Sequence, residues 1–408
     1  MLSSIGFHTI SLLLPLKADE VTRLLRDFFH YSSTSKNIII KKQTHELCKS
    51  KYESYSITDD TSFNLPLTTI IYYRKDIGIR WKITSTKPSQ LFNSYVLEVK
   101  INPKILSGID DYLTAATLCD MENVISKFNQ ETKKISPLLK DFSYYKLIRV
   151  DYCINFSINE LVPGCTPEQV INLIKRADIP PSYEEWSEYS EISHRRKTKP
   201  GSFYLINDSV NINVYSKYMQ LIEQSQDNVS KGYPPISESA LYYSEDIIRF
   251  EVQCKYRKTY SLSKNAALAE DYSVNMYKTL LSPSYCIDNL NHYYNKTIGS
   301  GHWYSLQAAV SLIKSHHFNS QKEKRLIDTL AEVNRCRSIA RAKSLHYGND
   351  LDTFKRSLKD LSDIGINPVT IPREWGIKRI WNLLEQYHSY CTEEQLSKKM
   401  QINQTLCY

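Results

Sequence analysis

Apolar and polar side chains alternate in "IGIRWKIT" (77–84), "YVLEVKI" (95–101), "LIRVDYCINF" (147–156), "VNINVYS" (210–216) and "IIRFEVQCK" (247–255), the period of strands with one buried face. "HTISLLLPL" (8–16) is a short apolar run that predicts a further strand. Helical spacing takes over directly after two of these segments. In "ADEVTRLLRDFF", Val21, Leu24, Leu25 and Phe28 stand at i, i+3, i+4 and i+7, and in "TPEQVINLIKRA", Val170, Leu173, Ile174 and Ala177 repeat those offsets. Thr166 and Gln169 offer the two halves of a capping box, with Pro167 at the first helical position.

Each copy continues with two alternating strands, so both halves read strand, helix, strand, strand. The pattern predicts an α+β protein in which duplicated units form a mainly antiparallel central sheet. After about residue 262 the strand signal stops and a helical C-terminal domain is expected. Leu326, Ile327, Leu330, Val333, Ile339 and Ala340 form one apolar stripe of a single helix that also carries Lys322, Lys324, Arg325, Arg335, Arg337 and Arg341. A second helix over 352–363 ends at Gly365, before the two prolines of "INPVTIP". The expected division is an N-terminal α+β half (1–145), a catalytic α+β half (146–262) and the helical domain (263–408).

Strand parity sorts the side chains by face. Val150, Tyr152, Ile154 and Phe156 oppose Arg149, Asp151, Cys153 and Asn155; Ile248, Phe250, Val252 and Cys254 oppose Arg249, Glu251, Gln253 and Lys255; Val210, Ile212 and Val214 oppose Asn211, Asn213, Tyr215 and Lys217. If the three strands are neighbours, their polar face gathers Asp151, Glu251, Tyr215 and Lys217. Two carboxylates can hold a hard divalent ion, Mg²⁺ or Mn²⁺, which binds phosphate oxygens. A tyrosine beside it can attack phosphorus, with a lysine to neutralise charge. The duller reading is a sheet face of solvated ion pairs with a packing aromatic.

Composition narrows the picture modestly. The 408 residues carry a formal charge of +8, compatible with a polyanionic partner, and 30 tyrosines. Nine cysteines with no C-x-x-C pair and no Cys/His cluster at zinc-finger spacing argue against a disulfide framework or a structural zinc and fit a reducing cytoplasm. "ISLLLPL" is too short to span a bilayer, and no membrane partner is expected. A G-x-x-x-x-G-K-[ST] loop is absent, so ATP-driven chemistry has no motif here.

"LIRVDYCINFS", "SVNINVYSKYMQL" and "DIIRFEVQCKYRKTYSL", in this order, resemble the filamentous-phage gene-two and plasmid rolling-circle replication initiators, as do "YVLEVKINPKILSG" and "DLSDIGINPVTIPREWG". The resemblance spans nearly the whole chain. It implies a cytoplasmic DNA nickase and ligase acting in a bacterial host through a 5′-phosphotyrosine intermediate. Tyr215 falls on the nucleophile, Lys217 on its lysine, and Asp151 and Glu251 on the metal-binding acids. Implied partners are double-strand origin DNA, single-stranded DNA, and host helicase, DNA polymerase and single-strand-binding protein. Arg149, His194, Arg195, Arg196, Arg249, Lys255, Arg257 and Lys258 are the expected DNA contacts, drawn from basic residues around these segments.

Two departures stand beside the resemblance. None of the ten histidines stands two residues from another, so the His-hydrophobe-His metal motif of the larger nickase superfamily is missing. A second nucleophile is open between Tyr218, a tyrosine of a second protomer in a homodimer, and water. The competing functions are a non-catalytic origin-binding regulator and a relaxase- or transposase-type nickase.

Overall fold

In the computed structural model, residues 4–32, 38–42, 68–85, 95–108, 113–117, 120–190, 195–197, 201–230, 234–267 and 276–389 are described. The first half runs β1 (Ser4–Leu16), α1 (Ala18–Tyr31), β2 (Ile38–Lys42), β3 (Thr68–Arg74), β4 (Ile79–Ser85), β5 (Tyr95–Ile101), α2 (Pro103–Ser107), β6 (Ala116–Thr117) and α3 (Met121–Ile135). The second runs β7 (Lys146–Ser157), α4 (Ile158–Leu161), α5 (Pro167–Ile174), β8 (Glu184–Glu185), β9 (Glu188–Ser190), β10 (Arg195–Lys197), β11 (Ser202–Ile206), β12 (Val210–Ser216), α6 (Lys217–Ser230), α7 (Glu238–Ser244), β13 (Ile247–Cys254) and α8 (Tyr256–Ala267). Helices then dominate: α9 (Met276–Leu280), α10 (Pro283–Thr297), a short strand β14 (Trp303–Tyr304), α11 (Leu306–Ser315), α12 (Ser320–Cys336), α13 (Ile339–Lys343), α14 (Gly348–Asp363) and β15 (Arg379–Ile380), which pairs with β14.

The local signals act as the sequence predicts. Val21, Leu24, Leu25 and Phe28 are the buried face of α1. At α5 the Thr166 hydroxyl accepts from the Gln169 amide at 3.3 Å, and the Gln169 side chain accepts from the Thr166 amide at 2.8 Å, so both orphan donors are satisfied. At the end of α14, Gly365 adopts φ +75°, which lets the Ile366 amide reach the Leu361 carbonyl at 2.9 Å.

The protein is α+β, with one large antiparallel sheet ordered β2, β3, β4, β5, β1, β7, β13, β12, β11, β8, and with β6 beside β1. The first strands of the two halves, β1 and β7, lie together at the centre. On each side the last long strand of a half pairs with its first: β5 with β1, and β13 with β7. Then β4 and β3 extend one wing, and β12 and β11 the other. This mirrored order is the duplication written in space.

Helices cover the apolar face of the β7 wing. Tyr294 of α10 meets Phe250 and Phe156 edge-on, and the Tyr152 hydroxyl donates to the Leu280 carbonyl at 2.8 Å. One apolar cluster therefore extends from Phe7 and Trp81 through Phe156 to Tyr294 and Leu383. At about 25 cal/mol per Å² of apolar surface, burial on this scale is the main drive to close helices onto sheet. The single long helix expected across 322–341 is broken: Arg337 takes a left-handed conformation (φ 53°), and the Ser338 hydroxyl caps α13 by accepting from the Arg341 amide at 3.4 Å. A serine able to start a new helix competes with continuation of the old one.

Candidate functional site

With its apolar face covered, the β7 wing turns its other face to the candidate chemistry. The three strands singled out by parity are consecutive, β7, β13, β12. Cross-strand rows place Asp151 opposite Gln253, Glu251 between Cys153 and Asn213, and Arg249 between Asn155 and Tyr215. Asp151 and Glu251 are buried, at 0% and 2% exposure. The Tyr215 hydroxyl donates to Glu251 Oε2 at 3.1 Å. Tyr215 is 7% exposed, but what faces its oxygen is polar, Glu251 and Arg249, while its ring centroid lies 6.4 Å from that of Tyr204.

A fourth member comes from β1. The ladder between β1 and β7 skips a residue between Phe7 and Thr9, so His8 is the extra residue of a bulge. Its Nδ1 lies 3.3 Å from Glu251 Oε2. His8, Asp151 and Glu251 each present a ligand atom within 4.8 Å of the others, a grouping with no second example among the described residues. One imidazole and two carboxylates form a donor set that suits Mn²⁺ or Mg²⁺, with Mn²⁺ accepting nitrogen more readily. Asp151 accepts two bonds from Arg149, at 2.8 and 2.7 Å, and Glu251 Oε1 accepts from Gln253 at 2.8 Å. These bonds orient the acids and leave further lone pairs for an ion.

The electrostatics divide the two acids. Burial raises Asp151 above the usual carboxylate range, and the Glu251 charge adds to this against the pull of Arg149. Burial pushes Glu251 the same way, but His8, the Gln253 amide and Arg249 outweigh it and hold that acid well below the usual range. Burial, then the Glu251 charge, raises the Tyr215 phenol far above its ordinary value. As it stands, Tyr215 is a protonated phenol beside an ionised acceptor.

Three residues differ from their expected placement. Lys217 is not on the strand: β12 ends at Ser216 and Lys217 opens α6, buried, with its Nζ donating to Gln220 at 2.7 Å. Burial and then the Arg249 charge push its pKa well below the lysine range. Arg249, expected to touch DNA, is 1% exposed and spends its donors on Asn155 (2.7 Å) and the Leu113 carbonyl (3.0 Å); it braces the sheet. Arg149 is turned to Asp151.

At the exit of β13, Lys255 donates to the Asn207 carbonyl at 2.7 Å, Arg257 pairs with Asp208 at 2.5 Å, and Lys258 lies over the Tyr293 ring. Arg195 and Arg196 lie on β10, whereas His194 lies outside the described residues. His8 was missed in sequence because parity puts a lone histidine at the start of an apolar run. The doubled polar step "HT" between Phe7 and Ile10 is the signal of the bulge. Lys100 and Arg80 were also missed: Ser11 pairs with both Lys100 and Arg149, and Lys100 with Arg80, which sets three cations in one row across the sheet.

No family model matches the chain, and none of the curated proteins compared with it does. A solved structure is similar. It is the rolling circle replication initiator protein from Geobacillus stearothermophilus, with 7% identity and a TM-score of 0.26 over 66% of this chain and 80% of that one. So loose an overlap carries no argument, and the site rests on its own geometry.

Proposed function

We propose that this protein is a rolling-circle replication initiator of the filamentous-phage gene-two type, nicking and rejoining one strand of origin DNA through Tyr215. The observation that carries the reading is the Tyr215 hydroxyl on Glu251, inside the cluster that Glu251 shares with Asp151 and His8. Taking two carboxylates out of water costs several kcal/mol each, which Arg149 on Asp151 and Gln253 and His8 on Glu251 offset but which packing of a tyrosine does not call for.

In the proposed reaction Tyr215 Oη forms a bond to phosphorus and gives up its proton to solvent, while the ionised Glu251 carboxylate it already faces orients the hydroxyl without keeping that proton. The P–O3′ bond breaks, and the 3′ oxygen leaves with the electron pair and takes up a proton. The 5′ phosphate stays on Tyr215, and the 3′ hydroxyl is a primer. Rejoining is the reverse, so the phosphodiester bond energy is conserved and no nucleotide cofactor is consumed. Deprotonating an ordinary phenol at neutral pH costs about 4 kcal/mol, and burial of Tyr215 adds to this. His8, Asp151 and Glu251 would hold a divalent ion, Mn²⁺ or Mg²⁺, whose charge favours the phenolate and polarises the phosphate. Arg149 holds Asp151 in place.

Incubation of the full chain with supercoiled origin DNA and Mn²⁺ tests this. Open circles and a protein-DNA adduct are expected, both lost in Tyr215→Phe while origin binding survives. Normal nicking by the Phe variant would return Tyr215 to the status of a sheet aromatic.

A further inference from the structure

The helical layer contains a cavity of about 900 Å³ that the proposed chemistry does not use. It lies where the end of α5 meets the corner between α12 and α13; the Ile339 amide donates to the Arg176 carbonyl at 2.9 Å across this junction. Because α5 and the C-terminal helices pack on the apolar face of the sheet, the cavity and the acid cluster are on opposite sides.

Its lining is cationic. Arg176, Arg335, Arg337, Arg373 and Lys378 face one carboxylate, Glu374. Arg335 pairs with Glu332 at 3.4 Å, on the adjoining turn. Arg176, Arg337, Arg373 and Lys378 form no ion pair among the described residues. Burial and then the nearby Arg337 charge work against the charge on Arg176, and Glu374 offsets part of this, so one carboxylate stands against several mutually repelling cations. The N-terminus of α11 opens on the same space, where Ser305 caps the helix by accepting from the Ala308 amide at 3.3 Å. The walls are tied by the Ser305 amide on the Lys378 carbonyl and the Ile371 amide on the Tyr304 carbonyl, both at 2.9 Å. A site held open in this way loses little entropy on binding.

The lining also discriminates between anions. None of its residues is aromatic, in a chain with 30 tyrosines. Single strands are gripped largely through stacking on aromatic rings, whereas a duplex keeps its bases stacked and offers phosphates to guanidinium groups. We infer that this cavity binds the phosphate backbone of double-stranded DNA outside the nick, as a second anchor on the far side of the sheet from Tyr215. The inference rests on the reading of the protein as a DNA nickase.

The test is fluorescence anisotropy of the full chain with a labelled duplex in EDTA, repeated over a series of salt concentrations. Each phosphate contact contributes ~0.9 to the slope of log affinity against log salt. Arg337→Gln/Arg373→Gln is expected to weaken binding roughly tenfold and reduce the slope by about two. Glu374→Gln is expected to tighten binding by roughly two- to fivefold, a gain that misfolding cannot imitate. An unchanged slope in the double variant, or no tightening in Glu374→Gln, overturns the anchor. Displacement of the duplex from these residues by micromolar ATP would also overturn it in favour of a free-nucleotide site. The measurement needs no cleavage: a reduced slope in a chain that never nicks leaves the anchor standing and removes the nickase, and nicking with an unchanged slope does the reverse.

Discussion

At the residue scale, the divided acid pair makes a pH-dependent prediction. Because Asp151 is raised in the fold, it keeps its proton above the ordinary aspartate value of about 4, and an ion must displace that proton to bind. Mn²⁺ affinity, measured by calorimetry, should rise with pH from about 4 through the raised value of Asp151. Asp151→Asn should weaken binding by at least the roughly 10- to 100-fold that loss of an outer-shell partner costs, and should flatten the rise over that range. Binding that is independent of pH would remove Asp151 from the ligands. The stability linkage has the opposite sense: a raised carboxyl favours the fold at low pH and that contribution is lost as pH rises through its folded value.

At the element scale, the β1 bulge is what delivers His8, and Gly6 sits against the strand that flanks it. A Cβ on Gly6 would stand 2.0 Å from the Ala116 carbonyl oxygen, inside the β1–β6 pairing. Gly6→Ala should cost about 1–3 kcal/mol in denaturant unfolding and should weaken Mn²⁺ binding along with it. His8→Ala keeps the backbone and should lower metal affinity without that loss of stability. In the helical layer, His346 links α12 to α14 by Nε2 on Glu332 at 2.8 Å and Nδ1 on Asp350 at 2.5 Å. Asp350 first, and then Glu332, raise its pKa, so its contribution to stability is complete below about 6.5 and lost as pH rises through the folded value. Thermal melts should show a midpoint falling above pH 6.5 that His346→Gln does not share.

At the scale of the whole molecule, the duplication places the site beside its centre: β7 joins β1 of the other half, so a wing carrying Asp151, Glu251 and Tyr215 receives His8 from its counterpart. Much of this was legible in the sequence. Parity placed Asp151 and Glu251 on one face and Tyr215 with them, because side-chain alternation survives any ordering of the strands. The capping box at Thr166 was legible because its partners are three residues apart. Less was legible where the outcome depends on tertiary neighbours. Lys217 follows parity only while the strand lasts, and a helix starts there instead. Arg249 looks solvent-facing in sequence, yet Asn155 and Leu113 draw it inward.

Nicking and rejoining through Tyr215 require a covalent bond between that residue and DNA. After reaction with origin DNA and Mn²⁺, nuclease digestion and peptide mass mapping should find a nucleotide 5′-phosphate on the peptide that contains Tyr215, at that oxygen. Nicked DNA with the nucleotide on Tyr218, or with no nucleotide on any tyrosine, would contradict it.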